Sequence, residues 1–160
     1  MAEHLAISDG DKNQKYELLL EQIEALADGE TDVIAFMANV ASMIHFTFGF
    51  LWTGFYRVVG NELVLGPFQG PLACTRIRYG KGVCGTAWKE AATLVVCDVN
   101  EFPGHIACSS DSRSEIVVPV KVGDKVIAVL DIDSPELSTF DATDALWLER
   151  VATVVARIGA

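Results

Sequence analysis

A change of hydrophobic period just before residue 50 constrains this chain more than any other feature. Upstream, Tyr16, Leu19, Leu20, Ile23 and Leu26 recur at helical spacing, and so do Ile34, Met37, Val40, Ala41 and Ile44. These two runs predict two helices, the first stopped by Asp28-Gly29 and the second capped by Thr31 or Asp32. Downstream the period becomes that of β-structure. Strands are expected over 50–58, 62–66 and 73–78, with Gly60-Asn61 turning between the first two. Helices that precede a run of short strands must pack on one face of a mostly antiparallel sheet.

The remainder of the chain extends this pattern. Gly80-Lys81-Gly82 breaks the chain before a short helix at about 83–90, and a brief β-type run covers 93–97. Residues 98–114 form a polar loop punctuated by Pro103-Gly104, long enough to suggest function. Strands over 115–120 and 125–133 meet across Gly123-Asp124. A last helix spans about 141–158, with Leu148, Val151, Ala152, Val155 and Ile158 on one stripe. The expectation is one α+β domain over residues 11–160: a mainly antiparallel central sheet flanked by N-terminal and C-terminal helices. Residues 1–10, ending in Ser8-Asp9-Gly10, read as a flexible leader.

Length and composition narrow the function classes. A chain of 160 residues, 51% hydrophobic, is long enough to close one core. Its apolar runs are only a few residues long, so no membrane span is expected. No secretory leader pattern opens the chain, and the expected location is the cytoplasm. A net charge of −10 argues against nucleic acid, whose phosphates need a basic face. It suits a soluble protein or a pocket that attracts an ammonium group.

Four cysteines stand at 74, 84, 97 and 108. Taken singly, each is ordinarily an inert, buried residue in a reducing compartment. Cys108 departs from that reading because it lies in the polar loop, three residues after His105 and near Arg113. Cationic neighbours and loop N–H groups favour the thiolate, the form that attacks. Cys84, at the start of the short helix, would feel the helix N-terminus. Cys74 follows a glycine-rich turn. Cys97 ends the apolar run Leu94-Val95-Val96 and is expected to be buried packing. No CxxC is present, and the spacing does not fit a zinc knuckle.

The acidic residues form a second constellation. Asp131 and Asp133 alternate along a strand and share a face. Glu115 begins the preceding strand at the same end of the hairpin. A strict two-residue turn at Gly123-Asp124 would pair Glu115 with Ile132 and point it the other way. A three-residue loop, or a bulge near Pro119, would bring all three acids onto one face. Solvated strand ends are the plain alternative. If the acids converge in a cleft, burial and repulsion should raise at least one pKa and leave an acid able to donate a proton. Trp52 and Tyr56 are candidates for the wall of such a pocket. His45 is expected to be structural, and His4 lies in the leader.

The segments GPFQGPLAC, YGKGVCGTAW, DVNEFPGHIACSSDSRSEIVVPV and VLDIDSPELSTFD together resemble the free methionine-(R)-sulfoxide reductases, stand-alone GAF-domain enzymes. The resemblance covers roughly residues 50–145. It implies a GAF-like fold and reduction of free L-methionine-(R)-sulfoxide, with no cofactor and no metal. By position it makes Cys108 the nucleophile, Cys74 the main resolving thiol and Cys84 an auxiliary one. Glu115, Asp131 and Asp133 become substrate-binding acids, with Glu115 or Asp133 as proton donor and Asp131 facing the substrate ammonium. Trp52 and Tyr56 become the aromatic wall, Trp52 against the S-methyl group. Thioredoxin is the implied reductant. Apolar stripes on the terminal helices allow a homodimer. Two other readings stand beside this one: a ligand-sensing GAF domain without chemistry, and a zinc protein using His105 and Cys108.

Overall fold

The computed structural model describes residues 4–160. Two helices open it, α1 (Lys12–Ala27) and α2 (Val33–Phe48). Asp11 caps α1 in a reciprocal box with Gln14, and the Asp32 side chain accepts from the Ala35 N–H to start α2. The strands are β1 (Trp52–Val59), β2 (Glu62–Gln69), β3 (Arg76–Arg78), β4 (Leu94–Val96), β5 (Ser114–Val122) and β6 (Lys125–Ser134). Helix α3 (Gly82–Glu90) lies between β3 and β4, and α4 (Ala142–Gly159) closes the chain. The α+β expectation is met: six antiparallel strands in the order β3-β2-β1-β6-β5-β4. The described part of the expected leader lies against α1, where the backbone of Ala6 bonds both ends of the Gln22 amide.

Two local departures matter for the site. The strand expected over 73–78 is formed only at Arg76–Arg78, so Cys74 stands on a loop. In that loop the carbonyls of Pro71 and Cys74 accept from side chains, not from a neighbouring strand. Within the polar 98–114 loop, a single 3₁₀ turn forms at Val99–Glu101, with Asp98 accepting from the Asn100 N–H.

The sheet separates two apolar layers. On one face, Phe55, Ile116, Val118, Val120, Leu130 and Ile132 are fully buried under α1, α2 and α4. Each large side chain there contributes about 1.5–3 kcal/mol relative to exposure. On the other face, Trp52, Tyr56, Val117 and Val129 pack under α3 and the segment after β4. That second layer is smaller and is interrupted by polar groups. The helical face carries most of the core, and the opposite face carries the pocket.

The β5–β6 hairpin resolves the register question. Its turn is the two-residue one, with Gly123 at φ 63°, a conformation glycine adopts without steric cost. Val122 pairs with Lys125 and Lys121 with Val126, but Val120 then pairs with Ala128. Ile127 is therefore an extra residue, a bulge that shifts every later pair by one. Glu115 consequently faces Asp133, and Val117 faces Asp131. The three acids lie on the same side of the sheet.

Candidate active site

Glu115 and Asp131 are both 6% exposed, although each carries a carboxyl group. Burial raises all three pKa values of the cluster. For Glu115 and Asp133, the neighbouring Asp131 charge adds to burial, and both are pushed well above the usual carboxylate range. Asp131 is also raised by burial, but hydrogen bonds from Glu115 and Cys84 oppose the shift. Burial thus favours the neutral form of all three acids, least so in Asp131, where hydrogen bonds oppose the shift. The Asp131 Oδ1 is buried without a hydrogen-bond partner among the described residues. Ser112 donates to Asp133 Oδ1 at 2.9 Å and fixes that carboxyl group.

The structure joins Cys74 and Cys108 in a disulfide with Cα atoms 5.4 Å apart. This bond ties the loop before β3 to the long loop before β5; Cys108 lines the cavity and Cys74 does not. Cys108, Cys84 and all three acids line one cavity of about 50 Å³. Trp52 and Tyr56 form its wall, with ring centroids 5.8 Å apart, and Phe68 stacks behind Trp52 at 5.3 Å.

Three expectations need correction. Cys84 does occupy the first turn of α3, but the helix terminus does not make it a thiolate. Burial and the charges of Asp131, Glu115 and Asp133 hold its thiol well above the usual range. Cys97 is exposed rather than buried, because β4 is an edge strand and Cys97 follows its last residue. The cationic surroundings expected for Cys108 differ in membership: His105 and Lys81 line the cavity with Cys108 but Arg113 does not, and burial lowers the His105 pKa.

His105 instead lies with Nε2 4.0 Å from Glu115 Oε1, a second-row contact to the acids. Ser112 is the residue that sequence reasoning missed. Its only signal was a serine in the polar run that leads into Glu115. The zinc reading built on His105 and Cys108 lacks its thiolate here, since Cys108 is disulfide-bonded. A different trio, Cys84, Glu115 and Asp131, places ligand-type atoms within 4.8 Å of one another. Within it, the Glu115 carboxyl and the Cys84 thiol both hydrogen-bond Asp131, and burial raises the pKa of each of the three groups.

This geometry gathers a disulfide-forming cysteine, three acids and two aromatic rings around one small cavity. Comparison with known proteins supplies the family. The GAF domain model matches residues 28–158. The chain is 56% identical to GAF domain-containing protein A of Dictyostelium discoideum over 152 residues, covering 94% of this chain and 96% of that protein. It is 41% identical to the free methionine-R-sulfoxide reductase of Saccharomyces cerevisiae over 164 residues, covering 96% and 91%. The solved structure of free methionine-R-sulfoxide reductase from Neisseria meningitidis, in complex with its substrate, superimposes with a TM-score of 0.94 at 51% identity, covering 97% of this chain and 94% of that one. With its acids, aromatics and paired cysteines gathered on one face of such a sheet, this chain belongs to the GAF domain family, in the branch that holds the free methionine-R-sulfoxide reductases.

Proposed function

We propose that this protein reduces free L-methionine-(R)-sulfoxide to L-methionine by a thiol mechanism centred on Cys108. The observation that carries the reading is a disulfide-forming pair, Cys74–Cys108, whose Cys108 lines one cavity with three acids of raised pKa. A sensor of an unreactive ligand has no use for that combination.

The reduced form of Cys108 attacks the sulfoxide sulfur. Glu115 or Asp133 supplies the proton that the sulfoxide oxygen needs as its bond to sulfur weakens. Oxygen passes from the substrate to Cys108, giving methionine and a sulfenic acid. Cys74 then attacks the sulfenic sulfur, water leaves, and the disulfide closes. Thioredoxin restores both thiols by exchange.

Asp131, in which burial favours the neutral form least, takes the substrate ammonium. Trp52 packs against the S-methyl group, and loop amides near Cys108 receive the carboxylate. Recognition of both charged ends excludes methionine sulfoxide within a peptide. Cys84, neutral and bonded to Asp131, serves as a reserve thiol and a donor to that acid.

Among the described residues, no helix is long and apolar enough to cross a membrane. A reducing cytoplasm is the setting in which such a disulfide is recycled. A homodimer through the terminal helices is compatible with this scheme.

The test is turnover of free L-methionine-(R)-sulfoxide with a thioredoxin recycling system. No methionine release by the folded wild-type protein ends the proposal. Cys108→Ser is expected to abolish even one turnover. Cys74→Ser is expected to release about one methionine per protein and then stop. Normal recycling by Cys74→Ser would move the resolving role to Cys84.

A further inference from the structure

The segment that carries Cys74 has little backbone pairing of its own. Strand β2 ends at Gln69 and β3 begins at Arg76, so the six residues between them belong to neither strand. Two carbonyls of this stretch are instead held by side chains of β1. The Trp52 Nε1–H donates to the Pro71 carbonyl at 3.1 Å, and the Tyr56 hydroxyl donates to the Cys74 carbonyl at 2.9 Å. Trp52 and Tyr56 are four residues apart on one strand and point to the same face.

Both donors are rigid. β1 is flanked by β2 and β6, the two rings stack on each other, and Trp52 and Tyr56 are 5% and 2% exposed. Gly70 lets the segment lie directly on Trp52. A Cβ at Gly70 would stand 2.7 Å from the Leu51 carbonyl oxygen and 2.9 Å from Trp52 Cδ1.

We infer that Tyr56, seconded by Trp52, is the positioning residue for disulfide resolution: its hydroxyl keeps Cys74 parked within reach of Cys108 when the disulfide is open. This goes beyond the aromatic-wall role and rests on Cys108 and Cys74 being the reacting pair. In the resolving step the Cys74 thiol gives up its proton and its sulfur forms the S–S bond, the Cys108 S–O bond breaks, and the hydroxyl leaves with that proton as water. Nothing outside the pair is consumed. The step depends on the local concentration of one thiol at the other, and that is what the tether raises. The Tyr56 hydroxyl is kept protonated by burial and by the nearby acids, so it remains a donor wherever the protein is folded.

The measurement is the equilibrium of the Cys74–Cys108 disulfide against glutathione, read by acid quench and mass spectrometry on the full chain. It needs no substrate. In Tyr56→Phe, which keeps the ring and removes one O–H, the equilibrium constant for disulfide formation is expected to fall about three- to tenfold, the worth of one net hydrogen bond. Trp52→Phe is the second variant, with a fall in the same direction. In substrate turnover, the ratio of the disulfide-closure rate to the methionine-release rate should fall in parallel for Tyr56→Phe, with the Cys108 sulfenic acid trapped in larger yield by dimedone. An unchanged glutathione equilibrium in both folded variants overturns the tether. Absence of methionine release by the wild-type protein, with the equilibrium shift intact, overturns the proposed activity and leaves the tether standing.

Discussion

At the residue scale, Glu115 shows how burial prepares a carboxyl group for proton donation. Its neutral form is favoured first by loss of solvent and then by Asp131 and Asp133. A carboxyl group whose pKa is raised on folding binds its proton more tightly in the folded state than in the unfolded chain. The stability it contributes is full below the ordinary carboxylate values, 3.8 for Asp and 4.5 for Glu, and is lost as pH rises through the raised folded values. Glu115→Gln removes one titrating member. Thermal unfolding should therefore show the variant more stable than wild type at about pH 8, by a few degrees, with the gap closing toward about pH 4. Its methionine release should fall at the same time. A gap that does not change with pH would mean that the Glu115 pKa is unshifted by folding, and a variant less stable only at high pH would mean that it is depressed.

The same scale shows what the sequence could not say about single side chains. The apolar run before Cys97 suggested burial, but the run belongs to an edge strand and ends as the chain leaves the sheet. Cys84 was read through its helix terminus. Its thiol pKa is instead raised first by burial and then by three carboxyl groups on β5 and β6, and both are tertiary facts.

Among elements, the β5–β6 hairpin decides whether a site exists at all. Alternation alone put Asp131 with Asp133, and the glycine-aspartate turn put Glu115 near the same end. The relative face of Glu115 depended on one extra residue, and the register shifts between Val120 and Lys121, beside Pro119, where a bulge was one of two possibilities the sequence offered. Sequence left that choice open because several hydrophobic residues in a row satisfy either register. Element identities were easier to read: the caps at Asp32 and the periodicities of α1, α2 and α4 were all visible. Helix α4 offers a test of how far stability and chemistry separate. The Asp141 side chain accepts from the N–H groups of Thr143 and Asp144 at its start, on the face away from the pocket. Asp141→Ala is expected to cost about 1 kcal/mol of stability, seen as a Tm lower by roughly 2–4 °C. Methionine release should be unaltered at assay temperatures. A large fall in activity at equal folded fraction would show that the helical layer reaches into the site.

For the whole molecule, one covalent bond links two loops 34 residues apart in sequence. Closing a loop of that length restricts the unfolded chain by about 2–4 kcal/mol. Reduction should accordingly lower Tm by roughly 5–15 °C, and Cys74→Ser should show the reduced value in either buffer. Differential scanning with and without a non-thiol reductant measures this directly. A Tm insensitive to reductant would mean the disulfide adds nothing to the folded state beyond what packing supplies.

The order of strands also sets where the molecule moves. β1 and β6 lie inside the sheet, and β5 is covered by β4 over its first residues. Their amides should be among the last to exchange with deuterium, while the long loop carrying Cys108 opens first once the disulfide is reduced. The aromatic wall, the three acids and the Cys74 carbonyl bonded to Tyr56 stand on slow ground, and Cys108 stands on fast ground. One side of the cavity hardly fluctuates, and the other is an arm that does.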